Sequence, residues 1–211
     1  MLTDTDIRNA PEVWLKIAKR SSDLGFGMPS DQQTGSLLAT LARSKPAGRF
    51  LELGTGTGLG TAWILSGMDA SSRLDSIDSE ARWIAIAREF LGQDQRVTFH
   101  IADGAEFLSK SNGNFYDFIF ADTWPGKFTH LEETLALLKP GGLYIIDDLL
   151  PQPNWPEDHA PKVPKLTASL ESRKDLIVTK LCWSTGLMIA AKRNAEPSAP
   201  ANPDPLRGQD R

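Results

Sequence analysis

Acidic residues close five short apolar runs along the chain: Glu52 in RFLEL, Asp78 in RLDSID, Asp103 after VTFHIA, Asp122 after YDFIFA, and Asp147 with Asp148 in GLYIIDD. One such residue has an ordinary reading, because Asp favours strand-to-loop junctions and helix N-caps. Repetition at five runs points instead to carboxylates gathered on one edge, where close pairs repel and call for cationic or hydrogen-donating ligands. Between the first two acids lies GTGTGLGT, from Gly54 to Thr61. A ligand can approach such a backbone closely, and it leads into LGTAWIL, whose first turn offers unpaired N–H groups. This is a nucleotide-type cradle. A dinucleotide GxGxxG fingerprint started at Gly54, Gly56 or Gly58 would need its third glycine at Leu59, Thr61 or Trp63, and no GxxxxGK[ST] is present. What remains is Glu52-x-Gly54-x-Gly56-x-Gly58, with Asp78 placed to accept hydrogen bonds from ribose hydroxyls.

The elements that must position these residues follow from periodicity. Short β-branched or aromatic runs alternate with longer stretches of helical period, the pattern of βα units on a parallel sheet. The spacing predicts helices over PEVWLKIAKR, over SDQQTGSLLATLAR with Ser30 as N-cap, over SEARWIAIAREFL, and through Phe128, Leu131, Leu135 and Leu138 to a stop at Pro140-Gly141-Gly142. LIVTKLCW and GLMIAAKR, joined at Ser184-Thr185-Gly186, read as an antiparallel hairpin. The expected fold is α/β: a Rossmann-like, doubly wound seven-stranded sheet, mostly parallel, with helices on both faces and that hairpin at one edge. In such sheets ligands bind outside the carboxyl ends of the strands, near the reversal of strand order.

The chain has 211 residues, 40% hydrophobic and 24% charged, with a formal net charge of −4. These values fit one globular domain and offer no global positive field for nucleic acid or anionic lipid. Residues 1–193 are expected to form that domain, with helices flanking the site over 1–45 and a candidate lid over 149–164, where prolines are mixed with Trp155, Asp158 and His159. The proline-rich stretch 194–211 reads as a disordered tail. The single cysteine, Cys182, reads as a small hydrophobe in a strand, and His100 as a structural mid-strand residue. The first twenty residues lack the order of a signal peptide, and no apolar run approaches the roughly 18 residues of a membrane span, which makes the cytoplasm the expected compartment.

FLELGTGTGLGT, the acid in SIDSEA, IADGAEFL, and FADTWPGKF followed by LLKPGGLYIIDD resemble the ordered motifs of class I S-adenosylmethionine-dependent methyltransferases. More narrowly, they resemble the small O-methyltransferases of the catechol and caffeoyl-CoA type. The resemblance runs from about Met28, in GMPSDQQTGSLL, to about Arg193. It implies that Glu52 and the Gly54-Thr55-Gly56-x-Gly58 backbone hold the methionine end of the cofactor, with Met28 among the cofactor residues at the flanking helix entry. Asp78 would take the ribose, Asp103 with Gly104 would meet the adenine, and Asp122 counts among the cofactor residues as well. It also implies a magnesium site on Asp122, Asp147 and Asp148, a ligand set that suits a hard cation.

Two positions depart from that family. The third metal position is usually Asn and is Asp148 here, and a catalytic lysine expected three residues after Asp122 is replaced by Pro125. Lys127 and His130 lie nearby and read equally as surface residues, while Trp124 and Trp155 could wall a flat acceptor pocket. The expected function is methyl transfer from S-adenosylmethionine to an oxygen of a small acceptor, with magnesium lowering the pKa of the hydroxyl. Without metal, Asp122, Asp147, Asp148, Lys127 or His159 would serve as base. An aminopropyltransferase and a noncatalytic cofactor-binding protein remain alternatives. The [DN]PP[YFW] motif of base N-methyltransferases is absent, and a homodimer stays open.

Overall fold

The alternating apolar runs pair into one sheet in the computed structural model, which describes residues 3–113 and 115–194. The expected tail lies outside them apart from Asn194. The strands are β1 (Arg49–Leu53), β2 (Arg73–Asp78), β3 (Val97–Ile101), β4 (Tyr116–Ala121), β5 (Leu138–Ile146), β6 (Leu176–Leu181) and β7 (Leu187–Lys192). Their order is β3-β2-β1-β4-β5-β7-β6. The first five run parallel, and β7 lies antiparallel between β5 and β6. Chain order reverses between β1 and β4, where a doubly wound sheet opens its ligand crevice.

Strand alternation divides the core into two layers. Phe50, Phe118, Phe120 and Ile145 face α1 (Glu12–Asp23), α2 (Gln32–Arg43), α3 (Leu59–Gly67) and α4 (Ala81–Leu91). Leu51, Leu53, Ile119, Tyr144 and Ile146 face α5 (Gly104–Lys110), α6 (Leu131–Leu137) and α7 (Val163–Glu171). The same alternation puts Glu52 on the Phe50 side, beneath α3. No helix among the described residues is long and apolar enough to cross a membrane.

Several local expectations are corrected. Asp31, not Ser30, caps α2, its Oδ1 accepting from the backbone N–H of Gln33 at 2.7 Å and Thr34 at 3.0 Å. α6 stops at Leu137, and Pro140-Gly141-Gly142 falls inside β5, where the register against β4 shifts. The 149–164 segment ends in order: a 3-10 turn over Ala160–Lys162 runs into α7, with prolines in their first turns, where no backbone N–H is needed. Cys182 lies past the end of β6 and is exposed. His100 is structural, with Nε2 2.9 Å from Asp75, which also accepts from the Tyr116 hydroxyl at 3.1 Å.

Candidate active site

A cleft of about 410 Å³ opens over the carboxyl ends of β1, β2, β4 and β5. Its floor at one end is the turn leaving β1. Gly54 and Thr55 donate their backbone N–H groups to the Ile77 carbonyl at 2.9 and 3.1 Å, tying the turn to β2. Gly54 has φ +102°, and a Cβ there would sit 2.8 Å from the Asp122 carbonyl oxygen, so only glycine lets the turn pass under β4. The backbone N–H of Gly56 donates to Asp78 Oδ2 at 2.8 Å, and Glu80 N–H to Oδ1 at 2.9 Å. Those bonds orient the Asp78 carboxylate at the cleft wall. Phe26 and Trp83 pack edge to face beside it, centroids 4.9 Å apart.

Glu52 lies below this floor, fully buried, and does not line the cleft. Its Oε2 accepts from Thr61 Oγ1 at 2.5 Å and Ser76 Oγ at 2.6 Å, while Oε1 has no hydrogen-bond partner. Burial pushes its carboxyl up to about 7, against the pull of those two hydroxyls. The lone oxygen faces the first turn of α3, close to where a side chain at Gly60 would stand.

The opposite end of the cleft holds Asp122, Lys127, Asp147, Asp148, His159 and Thr185. Asp122 follows β4 and receives only a 3.3 Å bond from Ser30. Burial raises its carboxyl well above the usual range, and the nearby charge of Asp147 adds to this while Lys127 opposes it. Asp147 Oδ1 accepts from the Thr185 hydroxyl and from Asp148 N–H at 2.7 Å; burial still lifts its carboxyl to about 6. Asp148 has φ +68° and turns its Oδ1 to the indole N–H of Trp155 at 2.7 Å.

Lys127 is 2% exposed, with Nζ donating to the Asp147 carbonyl at 3.1 Å, so its surface reading gives way to a place inside the site. The cause is the turn over 124–129. Gly126 takes φ +89°, its N–H donates to Thr129 O at 2.7 Å and its carbonyl accepts from the Tyr144 hydroxyl. This folds Lys127 back under the Trp124 loop, whereas His130 stays outside the cleft lining.

His159 is 3% exposed and stacks on Trp155 with ring centroids 4.1 Å apart. Its Nε2 lies 3.1 Å from the Asp148 carbonyl, which only accepts, so Nε2 carries the proton and Nδ1 remains the basic nitrogen. Burial lowers its pKa, favouring the neutral ring. Asn154 donates to the Gly27 carbonyl at 3.1 Å, linking the 149–159 loop to the segment before α2 across the cleft mouth.

Of the residues expected at the site, Gly54, Thr55, Gly56, Asp78, Asp122, Lys127, Asp147, Asp148 and His159 line one cleft, and exposed Met28 sits at its rim. Gly58 instead caps α3 in the left-handed region. Asp103 caps α5, accepting from Ala105 and Glu106 N–H, and Gly104 packs on Pro125; neither lines the cleft. Trp83, Phe26 and Thr185 were not anticipated. Trp83 could have been sought as the aromatic one turn into the helix after Asp78, but nothing local marks Thr185.

The metal expectation can be tested on the donor set. Among the described residues, no group of three or more His, Cys, Asp or Glu side chains is placed to hold a metal ion. Asp147 and Asp148 each turn an oxygen to protein donors, and the cation in their midst is Lys127. The arrangement does not fit a three-carboxylate magnesium site.

Residues 51–149 match the family model described as a methyltransferase domain. A "Putative O-methyltransferase" of Mycolicibacterium vanbaalenii is 32% identical over 133 residues, 61% of this chain and 58% of that protein. The chain thus matches about three fifths of the length of such curated relatives. Among solved structures, a "putative O-methyltransferase" from Klebsiella pneumoniae superposes with TM-score 0.75 at 25% identity, covering 87% of this chain and 90% of that one. The O-methyltransferase TomG of Streptomyces achromogenes, solved in complex with SAM, has the same fold with TM-score 0.75 at 23% identity and the same coverage.

Proposed function

We propose that this chain is a class I S-adenosylmethionine-dependent methyltransferase that transfers a methyl group from that cofactor to an oxygen of a small acceptor, a reading supported by the methyltransferase-domain match over residues 51–149 and by the fold. The observation that carries the reading is the single cleft joining two unlike halves: a glycine turn with Asp78 at one end, and Asp122, Lys127 and Asp147 between Trp124 and Trp155 at the other. When bound, the donor supplies a methyl group already activated on a sulfonium.

The chain's own residues then have positional tasks. Asp78, held by Gly56 and Glu80, presents acceptor oxygens for ribose hydroxyls, and the Phe26–Trp83 pair offers an apolar wall for a purine. Glu52, buried beneath the glycine turn and bonded to Thr61 and Ser76, ties β1 to α3 and β2 below the cleft rather than touching the cofactor. Trp124 and Trp155 would hold a flat acceptor with its hydroxyl toward Asp122 and Asp147. That pair takes the hydroxyl proton as the oxygen–carbon bond forms and the carbon–sulfur bond breaks, its electrons passing to sulfur. The two carboxylates are close enough to titrate together, so the base is the pair. The 149–159 loop acts as the lid, held by Asn154 and by Trp155 on Asp148. The acidic balance of the chain offers no positive field for nucleic acid or a membrane surface and so supports a small-molecule acceptor.

Calorimetric titration with S-adenosylhomocysteine tests the donor half. The wild type should bind, and Asp78→Ala should weaken binding by about 1.5–3 kcal/mol, roughly ten- to hundredfold, while remaining folded. Absence of binding at millimolar ligand would remove the basis of this reading.

A further inference from the structure

The acceptor half contains a cation that the donor half does not need. Lys127 is buried, and its one hydrogen bond among the described residues goes to the Asp147 carbonyl. An ammonium has three protons, so two are left without a protein oxygen or nitrogen acceptor, with the Phe128 ring 5.3 Å from Nζ as its other neighbour. The lysine is not there by side-chain drift. Gly126 could not carry a side chain, since a Cβ would lie 2.3 Å from Leu53 Cδ1 and the backbone has φ +89°. The turn that aims Lys127 inward is therefore fixed by the packing of β1 and by the Tyr144 hydroxyl on the Gly126 carbonyl. Around it, Asp147 is engaged by Thr185 and Asp148 N–H, and Asp148 by Trp155.

Resting on the methyltransferase reading, we propose that Lys127 is the built-in cation of the acceptor subsite. Its two unspent N–H groups hold the oxygen of a phenol as that oxygen gives up its proton, and the transfer needs no divalent metal. A phenol is the class favoured because the subsite is walled by Trp124 and Trp155, and because an aryl oxygen carries developing negative charge that an ammonium stabilises. The proton goes to the Asp122–Asp147 pair, the oxygen–methyl bond replaces the sulfur–methyl bond, and charge balances as the sulfonium becomes a neutral thioether. Lys127 keeps all its protons throughout. The lysine that the sequence lacks at Pro125 is thus supplied two residues later, as a charge donor in place of a metal rather than as a base.

Two binding measurements test this without requiring turnover. Electron paramagnetic resonance with manganese(II) and S-adenosylhomocysteine should show no stoichiometric bound metal in the wild type. One ion per chain that Asp147→Asn removes would overturn the proposal. In excess chelator, absorbance titration with 4-nitrophenol, which cannot chelate a metal, should show binding as the coloured phenolate. Lys127→Met should weaken it by about tenfold or more, with Lys127→Arg recovering part of the loss. Equal affinity in wild type and Lys127→Met, or binding only after metal is added, or none at all, would contradict it. Each variant is first checked for S-adenosylhomocysteine binding, which Lys127 does not touch in this account. Loss of that binding in the wild type would sink the methyltransferase reading instead.

Discussion

Glu52→Gln should flatten the pH dependence of stability. Burial lifts the folded carboxyl from 4.5 to about 7, so between those values the folded chain holds a proton that the unfolded chain releases. The stabilisation from this group is therefore complete below about pH 4.5 and is lost as pH rises through about 7. At about 1.4 kcal/mol per pH unit the loss amounts to about 3 kcal/mol. Asp122 and Asp147 are raised in the same direction, but they are present in both proteins and cancel in the difference. The amide of the variant keeps an oxygen for the Thr61 and Ser76 hydroxyls that now bond Oε2, so the packing survives. Urea unfolding at half-unit steps from pH 5 to 8 measures the effect. Wild type should lose about 2.5 kcal/mol relative to Glu52→Gln across that range. Parallel stability curves would refute the claim that Glu52 is buried protonated in the free protein.

Gly126→Ala should destabilise the fold by about 2–4 kcal/mol, measured by chemical denaturation, because a Cβ meets Leu53 in a left-handed backbone. Thr185→Val removes the hydroxyl that lowers the Asp147 carboxyl, so the acid limb of a pH–rate profile, set by the Asp122–Asp147 pair, should move to higher pH. An unchanged limb would detach Asp147 from proton uptake. Hydrogen exchange over residues 149–159 should slow when S-adenosylhomocysteine and 4-nitrophenol are both bound, and unchanged exchange would make the segment an ordinary connector.

The parts of the fold that were legible in the sequence are those set by local pattern. The seven apolar runs became seven strands, and the acids ending β2, β4 and β5 line the cleft, whereas Glu52 lies buried beneath it and Asp103 caps α5. What was not legible depends on contacts between distant residues. Thr185 reaches Asp147 only because β7 inserts beside β5, and Ser184 meets Asp31 by the same packing. Lys127 was ambiguous because its direction is decided by Leu53 and Tyr144, not by its neighbours in sequence. Glu52 had the right chemistry but the wrong face: strand alternation buries it under α3 with Phe50, which a closer reading of RFLEL could have found. Prolines at 161 and 164 suggested loop, yet in a first helical turn they are compatible with the 3-10 turn and α7.

The central claim is transfer of a methyl group to an aryl oxygen in the cleft that joins Asp78 to Lys127. It is tested most directly by incubating the chain with methyl-labelled S-adenosylmethionine and a panel of simple phenols in excess chelator, following S-adenosylhomocysteine release and the labelled product. The account predicts an O-methylated phenol, formed with chelator present and suppressed in Lys127→Met. Cofactor that binds but yields no S-adenosylhomocysteine above the protein-free rate with any phenol, with or without magnesium, would contradict it.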